Sequence, residues 1–456
     1  MTDRSVVNTR GLSRELLLML DLLPEEADAA AVLRRLDATH GINWEHFVEL
    51  TLHHRVYPYL YPRLAKAGDA VPPAALQRLK REYQRNTLQM LQLSGEMGAL
   101  AEALAGRSIR SLFLKGPVLA QELYGDLSLR TSRDLDFLVP MEDLEQAEAL
   151  LVELGYVKEE DFESVLGDWK WRQHHNTYQH PVTRVTAEIH WRLSPAPSKE
   201  PKFDALWERS RISPLGRHVR YLGPEDLFMY LAVHGARHGW SRLRWLMDID
   251  RLLGREPGAR PVGRRPDEKQ AGQGPGVSQT GRKSDAQRPG RGLEARQTRQ
   301  ETNAQRLDRR PPDEQLPGRG LDAQRLTQLL AQYRCEPAAG QALLLASGLL
   351  HTPVEPELAS LASHPKAQKM AELAMFYVER MVNLHHPPLP PEVDRHYKAY
   401  QPAILSPGQR VLYLLGFLHP YAADARTLPL PKPLHVLYFP LRPFLWTWRK
   451  AVGQKE

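Results

Sequence analysis

The chain is poor in cysteine and in long apolar runs. It has a single cysteine, Cys335, among 456 residues, which excludes an intramolecular disulfide framework and fits a reducing compartment. No stretch approaches the roughly 20 uncharged apolar residues that a membrane-spanning helix requires. The polar segment 1–10 also lacks the apolar core of a secretory signal peptide. We therefore expect a cytoplasmic protein.

The segment 255–320 almost lacks aliphatic residues and is dominated by Arg, Gln, Gly, Pro and Asp. The whole chain carries a net charge of +7, and 255–319 alone holds 15 Lys or Arg against 9 Asp or Glu. The remaining chain is near neutral and does not indicate a broad surface for nucleic acid. The composition predicts a disordered insert. It could bind RNA or another polyanion, but its acidic residues and lack of aromatics favour a solvated linker.

Hydrophobic periodicity separates helical regions from a mixed region. Short apolar runs bounded by Gly or Pro, such as 109–114 and 134–139, are typical of strands. We predict an α+β fold, with a small mixed-sheet core flanked by N- and C-terminal helical regions. The predicted divisions are an N-terminal helical region (1–106), a catalytic core (107–223), a helical region (224–254), the disordered insert (255–320), a C-terminal helical region (321–425) and an aromatic, proline-rich tail (426–456).

Three carboxylates are the strongest chemical signal. Asp134 and Asp136 lie two residues apart in a predicted strand, so their side chains project from one face. Glu188 lies in a second predicted strand, 185–191, and joins them if the two strands pair. Converging carboxylates suit Mg²⁺ (or Mn²⁺), which binds oxygen ligands together with substrate phosphates. We therefore predict Asp134, Asp136 and Glu188 as catalytic residues and metal ligands.

A glycine turn and three cationic side chains accompany these carboxylates. Gly116 lets backbone N–H groups approach phosphate oxygens ahead of a helix. Lys115, Arg130 and Arg133 are candidate phosphate ligands. The alternative is that Lys115 is a surface lysine and that the two arginines form ion pairs with nearby aspartates.

The order of these motifs resembles the polymerase-β-like nucleotidyltransferase superfamily, in which a glycine turn and helix precede Asp-x-Asp and a third acidic residue on a neighbouring strand. More narrowly, the chain resembles a bacterial family of uncharacterised nucleotidyltransferases. The motifs that carry this resemblance are Leu114-Lys115-Gly116, Arg130, Asp134–Val139, Glu188–Trp191, His234, His238 and Trp245–Asp248. The resemblance covers about 10–254 and resumes at Leu321, but the insert has no counterpart. The superfamily's usual Gly-Ser or Gly-Gly is Gly116-Pro117 here, so a hydroxyl contact to phosphate is missing.

The histidines have open roles. His190 either packs against the neighbouring tryptophan or faces the cleft. His234 and His238 lie four apart on a predicted helix, a spacing that metals use, but the His-Glu-x-x-His frame is absent. Helix packing or lining of the cleft is therefore the better interpretation for that pair. Asp248 and Asp250 are expected to cap a helix or to pair locally.

The resemblance implies nucleotidyl transfer, in which an acceptor hydroxyl attacks the α-phosphate of a nucleoside triphosphate such as ATP and pyrophosphate leaves. One alternative is a phosphotransferase that passes on the γ-phosphate from the same site. The other is a non-catalytic nucleotide-binding or assembly protein. Three converging carboxylates speak against the last, because their mutual repulsion is costly unless a metal offsets it.

The tail combines apolar, aromatic and basic residues, including Phe444, Trp446 and Trp448. It could dock on the helical regions or lie at a membrane surface. Pro440 and Pro443 are expected to break a long amphipathic helix, which favours docking.

Overall fold

A computed structural model describes residues 7–37, 41–159, 165–166, 169–195, 198–254, 320–384, 388–416 and 418–452. The predicted disordered insert, 255–320, lies outside the described residues except for Gly320. The described residues on either side of it belong to one compact unit.

The N-terminal region is helical, as predicted. Its helices are α1 (Arg14–Leu22), α2 (Ala29–Asp37), α3 (Trp44–His53), α4 (Tyr57–Leu64) and α5 (Pro73–Gly106). The side chains of Ser13 and Asn43 cap α1 and α3 by accepting hydrogen bonds from backbone N–H groups of the first turn. Pro73 opens α5, where a missing N–H has no cost. These helices pack mainly through buried leucines and methionines.

A seven-stranded mixed sheet forms the centre, which confirms the predicted α+β class. Its strands are β1 (Leu112–Phe113), β2 (Asp134–Leu138), β3 (Val157–Lys158), β4 (His175–Gln179), β5 (Thr186–His190), β6 (Arg211–Ile212) and β7 (Arg220–Tyr221). They are arranged in the order β3-β4-β5-β2-β1-β7-β6. The β2–β5 and β1–β7 pairs are parallel, and the other pairs are antiparallel.

The segments between the strands contain α6 (Pro117–Leu119), which continues as a π-helical turn (Ala120–Tyr124), and α7 (Leu144–Glu153), α8 (Trp169–Arg172) and α9 (Phe203–Arg209). Strand alternation divides the central strands into an apolar and a polar face. Leu135 and Phe137 of β2 and Ala187 and Ile189 of β5 are fully buried on the apolar face. The acidic residues of both strands therefore share the opposite face.

The second helical region packs beside this sheet. It comprises α10 (Pro224–Arg237), α11 (Leu243–Leu253), α12 (Ala323–Tyr333), α13 (Glu336–Leu350), α14 (Ala359–Ala362), α15 (Pro365–Glu379) and α16 (Pro391–Ile404). Helix α13 contacts α10, α11 and α15, so it joins the chain before the insert to the chain after it. A turn with left-handed backbone at Gly239 and Trp240 separates α10 from α11.

The tail forms α17 (Pro407–Gly416), α18 (Ala422–Thr427) and α19 (Tyr438–Ala451). The prediction that its prolines prevent a long helix is wrong. Pro440 lies in the first turn of α19, where its missing N–H has no partner to lose, and Pro443 removes one backbone hydrogen bond inside the helix. The His435 ring donates a hydrogen bond to the Val165 carbonyl at 2.8 Å. Docking of the whole tail on the helical regions remains a prediction.

None of the described helices combines the length and the apolar character needed to cross a membrane.

Candidate active site

The parallel pairing of β2 with β5 brings two of the predicted carboxylates together. Asp136 lies directly opposite Glu188 in the register of the two strands, and Leu138 lies opposite His190. Residues paired in this way project from the same face. The condition on which the predicted triad depended, that the two strands are neighbours, is therefore met.

Asp136 is the buried centre of this group. Its Oδ1 atom lies 2.9 Å from Lys115 Nζ and 3.2 Å from His190 Nε2. Burial alone would raise the pKa of Asp136, but the Lys115 charge and the His190 hydrogen bond hold that pKa well below its ordinary value. Burial likewise opposes the charge on Lys115, yet the Asp136 carboxylate outweighs it and raises the lysine pKa. Both groups are therefore ionised at neutral pH.

The second carboxylate oxygen of Asp136, Oδ2, is buried and has no hydrogen-bond partner among the residues that the structure describes. A buried carboxylate oxygen without a hydrogen bond lowers the stability of the folded protein unless a cation binds it. His190 Nε2 lies 3.4 Å from Glu188 Oε2. Ligand atoms of Asp136, Glu188 and His190 all lie within 4.8 Å of one another, so the three residues fit a divalent cation.

Asp134 stands apart from this cluster of three. It lies on the same face of β2 but opposite Thr186, two residues closer to the start of both strands. Its Oδ1 accepts a hydrogen bond from Ser132 Oγ at 3.3 Å. The side chain is half-buried, whereas that of Asp136 is fully buried. Its role as a metal ligand remains a prediction.

Two further histidines adjoin the cluster. His175 of β4 lies opposite His190, and the two rings stack with centroids 5.0 Å apart. His175 Nδ1 lies 3.2 Å from His174 Nε2. Burial, then His190, lowers the pKa of His175 to about 4, so this ring is neutral and available as a nitrogen donor at neutral pH.

Gly116 forms the predicted turn before α6. Its φ of 78° and ψ of −141° are accessible to glycine and strained for other residues. An added Cβ would lie 3.4 Å from the Asp134 carbonyl oxygen, so the turn packs directly on the start of β2.

Arg130 does not point freely into the cleft. Its Nε and Nη2 donate to the two carboxylate oxygens of Asp248 at 2.9 Å, and both side chains are almost fully buried. Tyr124 donates to the same carboxylate. The expectation that Asp248 pairs locally is wrong, because its partner lies 118 residues earlier in the chain. Direct phosphate contact by Arg130 remains a prediction.

Four arginines gather on the Asp134 side of the site. The backbone N–H of Arg244, in the first turn of α11, donates to the His54 carbonyl, and this contact brings Arg55 beside the start of α11. Arg244 Nη1 in turn donates to Thr131 Oγ1 at 2.8 Å, two residues before Arg133. We call these residues the arginine cluster: Arg55, Arg133, Arg242 and Arg244.

The arginine cluster has an excess of positive charge. Within the part of the chain that the structure describes, none of its members forms an ion pair. Burial, then the charges of Arg130 and Arg55, lowers the pKa of Arg244 to about 9. Burial, then Arg55 and Arg133, lowers the pKa of Arg242 to about 10. Crowded cations of this kind favour an anionic ligand.

The predicted cleft histidines, at the end of α10, pack against Trp245 of α11. The His234 and His238 rings are 4.5 Å apart and both contact Trp245. Burial, then the charge of Lys115, lowers the pKa of His234 well below its ordinary value. The pair is held by ring packing, which agrees with the interpretation favoured from the sequence.

Sequence reasoning missed Arg55, Arg242, Arg244 and His175. Arg55 has a left-handed backbone (φ 57°), which is unusual for a residue other than glycine but leaves no pattern in the sequence. Arg242 and Arg244 stand just before the Trp245–Asp248 motif, and this position was the one available signal.

The sheet, the glycine turn and the acidic pair all lie in a part of the chain that is similar to a known family. Residues 40–260, just under half of the chain, match the model of a family described as uncharacterised nucleotidyltransferase. The match covers the sheet, the group formed by Asp136, Glu188 and His190, and the arginine cluster. No curated protein and no solved structure matches the chain.

Proposed function

We propose that this protein is a metal-dependent nucleotidyltransferase of the polymerase-β-like superfamily. It transfers the nucleoside monophosphate of an NTP to a hydroxyl acceptor and releases pyrophosphate. The observation that carries the proposal is the buried Asp136, which lies in register with Glu188 and keeps one carboxylate oxygen without a partner. The single cysteine agrees with a cytoplasmic setting.

The donor set fits a divalent cation held by Asp136 and Glu188, with Asp134 as a further ligand on the same face. His190 becomes the nitrogen ligand of this set when its Nε2 releases the proton that it donates to Asp136. Mg²⁺ is the expected ion, and the nitrogen donor of His190 also suits Mn²⁺. When bound, the ion would neutralise phosphate charge and lower the pKa of the acceptor hydroxyl.

The protein's own cations then bind the triphosphate. The exposed Arg133, the half-buried Arg55 and the buried Arg242 and Arg244 place positive charge beside Asp134. Lys115, whose Nζ lies 2.9 Å from Asp136 Oδ1, adds a further cation that can contact a phosphate oxygen. Arg130 fixes the chain ahead of β2 through Asp248 and so positions Asp134. Catalysis of this kind is mainly orientation and charge stabilisation.

Label transfer tests the reaction. The purified chain is incubated with Mg²⁺ or Mn²⁺, with each NTP labelled at the α-phosphate and with a lysate of its own organism. We expect label on an acceptor with the wild type and none with Asp136→Asn. Glu145→Gln, which removes an exposed carboxylate at 82% side-chain exposure, is the matched control and should retain transfer.

Two other outcomes separate the alternatives. Transfer of γ-label instead of α-label would establish a phosphotransferase. Metal-dependent nucleotide binding without transfer of either label would support a non-catalytic binding protein.

The arginine cluster has a separate test. We expect Arg133→Gln to raise the KM for the NTP roughly tenfold or more, with little change in kcat, because a charged hydrogen bond to the triphosphate is lost. Arg133→Lys should recover part of the affinity. Arg81→Gln, an exposed arginine on α5, serves as the control. An unchanged KM in Arg133→Gln would remove this residue from the triphosphate site.

A further inference from the structure

The C-terminal segment 407–452 exposes an unusual amount of apolar surface. Helix α17 presents Leu412, Leu414 and Leu415 to solvent, and Leu414 is 63% exposed. Helix α19 presents Phe444, Trp446 and Trp448, of which Phe444 is 73% and Trp448 65% exposed. Side chains of this size rarely cluster on a surface that has no binding partner.

Ion pairs and ring contacts within 407–452 hold the helices that carry this apolar surface in place. Asp424 of α18 is fully buried and forms ion pairs of 2.7 Å with Arg442 and Arg449 of α19. The Arg442 guanidinium also lies 4.0 Å from the centre of the Tyr421 ring. The ring of His419, just after α17, packs on Phe439 at 5.5 Å. The arginine side of α19 is therefore anchored inward, and Phe444 and Trp448, four residues apart, share the face directed to solvent. Trp446 lies at the exposed edge of the arginine side.

The charge of the segment indicates what covers it. Asp424 is the only acidic residue in 407–452, and its charge is used inside the segment. The exposed ionised side chains are all basic: Arg410, Arg426, Lys432 and Lys450. Two copies of such a surface would repel each other, whereas an anionic surface would attract it.

We propose that 407–452 binds the surface of an anionic lipid bilayer, with α17 and α19 lying in the interface. Exposed Trp, Phe and Leu beside Lys and Arg are the composition of helices that bind at this depth. Aromatic rings favour the boundary between headgroups and acyl chains, and the basic side chains favour anionic headgroups. This contact is peripheral and does not depend on the proposed transferase activity.

Cosedimentation of the full chain with vesicles tests the proposal. One set of vesicles contains phosphatidylcholine alone, and the other equal parts of phosphatidylcholine and phosphatidylglycerol. We expect binding to the anionic vesicles and little binding to the neutral ones. The bound fraction should fall as salt is added, because salt screens the charge attraction.

Two pairs of variants assign the binding to this surface. Trp446→Ser/Trp448→Ser should abolish cosedimentation, whereas Leu88→Ser/Leu91→Ser, which alters exposed leucines on α5, should not. Lys432→Gln/Lys450→Gln should weaken binding about thirty-fold. Two cations are removed, and each one near an anionic surface usually strengthens binding about five- to sixfold. The charge-matched control is Lys66→Gln/Lys80→Gln, which alters two exposed lysines elsewhere.

Three results would overturn the proposal. The first is equal binding to neutral and anionic vesicles, and the second is binding that survives the tryptophan variant. The third is no vesicle binding together with a concentration-dependent dimer that Trp446→Ser/Trp448→Ser dissociates, which would assign the surface to a second copy of the chain. Sedimentation velocity distinguishes that dimer from the monomer.

Discussion

At the scale of single residues, Lys115 and a bound cation have overlapping roles. Both neutralise Asp136, whose side chain is fully buried and 2.9 Å from the lysine nitrogen. Removing the lysine leaves the buried carboxylate with His190 as its remaining partner. A divalent ion would restore the missing positive charge, so the dependence of stability on metal should be larger without the lysine.

We therefore predict that Lys115→Met lowers the free energy of unfolding by about 3 kcal/mol in metal-free buffer. Mn²⁺ should raise the melting temperature of this variant more than that of the wild type, since ligand binding to the folded state stabilises it. Thermal unfolding with and without Mn²⁺ measures both effects. Lys170→Met, which removes an exposed ion pair with Glu145, is the control. If Mn²⁺ raises the melting temperature of the wild type and of Lys115→Met equally, the lysine and the metal do not share the neutralisation of Asp136.

The Arg130–Asp248 pair gives a second prediction at this scale. Both side chains are at most 1% exposed, so removal of one partner leaves an uncompensated buried charge. Asp248→Leu should cost about 3–5 kcal/mol of folding free energy. The double variant Arg130→Met/Asp248→Leu should recover a large part of that loss, because no charge is then left unpaired. Urea unfolding of the three proteins measures the coupling, and additive losses would contradict it.

At the scale of elements, the turn at Gly116 connects β1 to the acidic strand. Gly116→Ala forces a side chain into a left-handed conformation and against the Asp134 carbonyl. We expect a loss of about 1–3 kcal/mol in stability and a fall in label transfer.

Gly95→Ala is the matched control for that turn. Gly95 lies on the exposed side of α5, and an added Cβ there meets nothing within 4 Å. The same substitution should therefore stabilise the protein by about 0.5–1 kcal/mol. Losses of equal size at both glycines, measured by thermal unfolding, would show that the Gly116 conformation is not required.

Local sequence patterns were sufficient to predict the secondary-structure elements and part of the candidate site. The short apolar run 134–139, ended by Pro140, predicted β2, and the spacing of Asp134 and Asp136 placed both carboxylates on one face, as the register shows. Which strand lies beside β2 depends on tertiary structure. The sequence therefore predicted the convergence of Glu188 with the two aspartates only on the condition that the two strands pair. The partner of Asp248 and the arginine cluster depend on contacts more than 100 residues apart, for which a single sequence has no periodic signal.

At the scale of the whole molecule, the chain returns to one compact unit after 257–319. Asp322 N–H donates to Glu225 Oε1 of α10 at 3.0 Å, and Thr352 Oγ1 donates to Asp250 of α11 at 2.6 Å. Residues after the insert therefore complete the packing of helices that precede it. Helix α10 contributes Arg237, whose Nη1 lies 3.4 Å from His174 Nε2, and α11 contributes Asp248, the partner of Arg130. We therefore expect both parts of the chain to be needed for the proposed activity.

This arrangement predicts that the insert can be shortened. Replacing 257–319 with a Gly/Ser linker of about 20 residues should change the free energy of unfolding by about 1 kcal/mol or less, because loop closure depends weakly on length. NTP binding and label transfer should be retained, since every residue assigned to the site lies outside the replaced segment. Chemical unfolding and the α-label assay, performed on the shortened and the full chain, measure both. If the shortened chain keeps its stability but loses transfer, the insert takes part in binding the acceptor, and the 14 basic side chains of 257–319 would be the first to substitute.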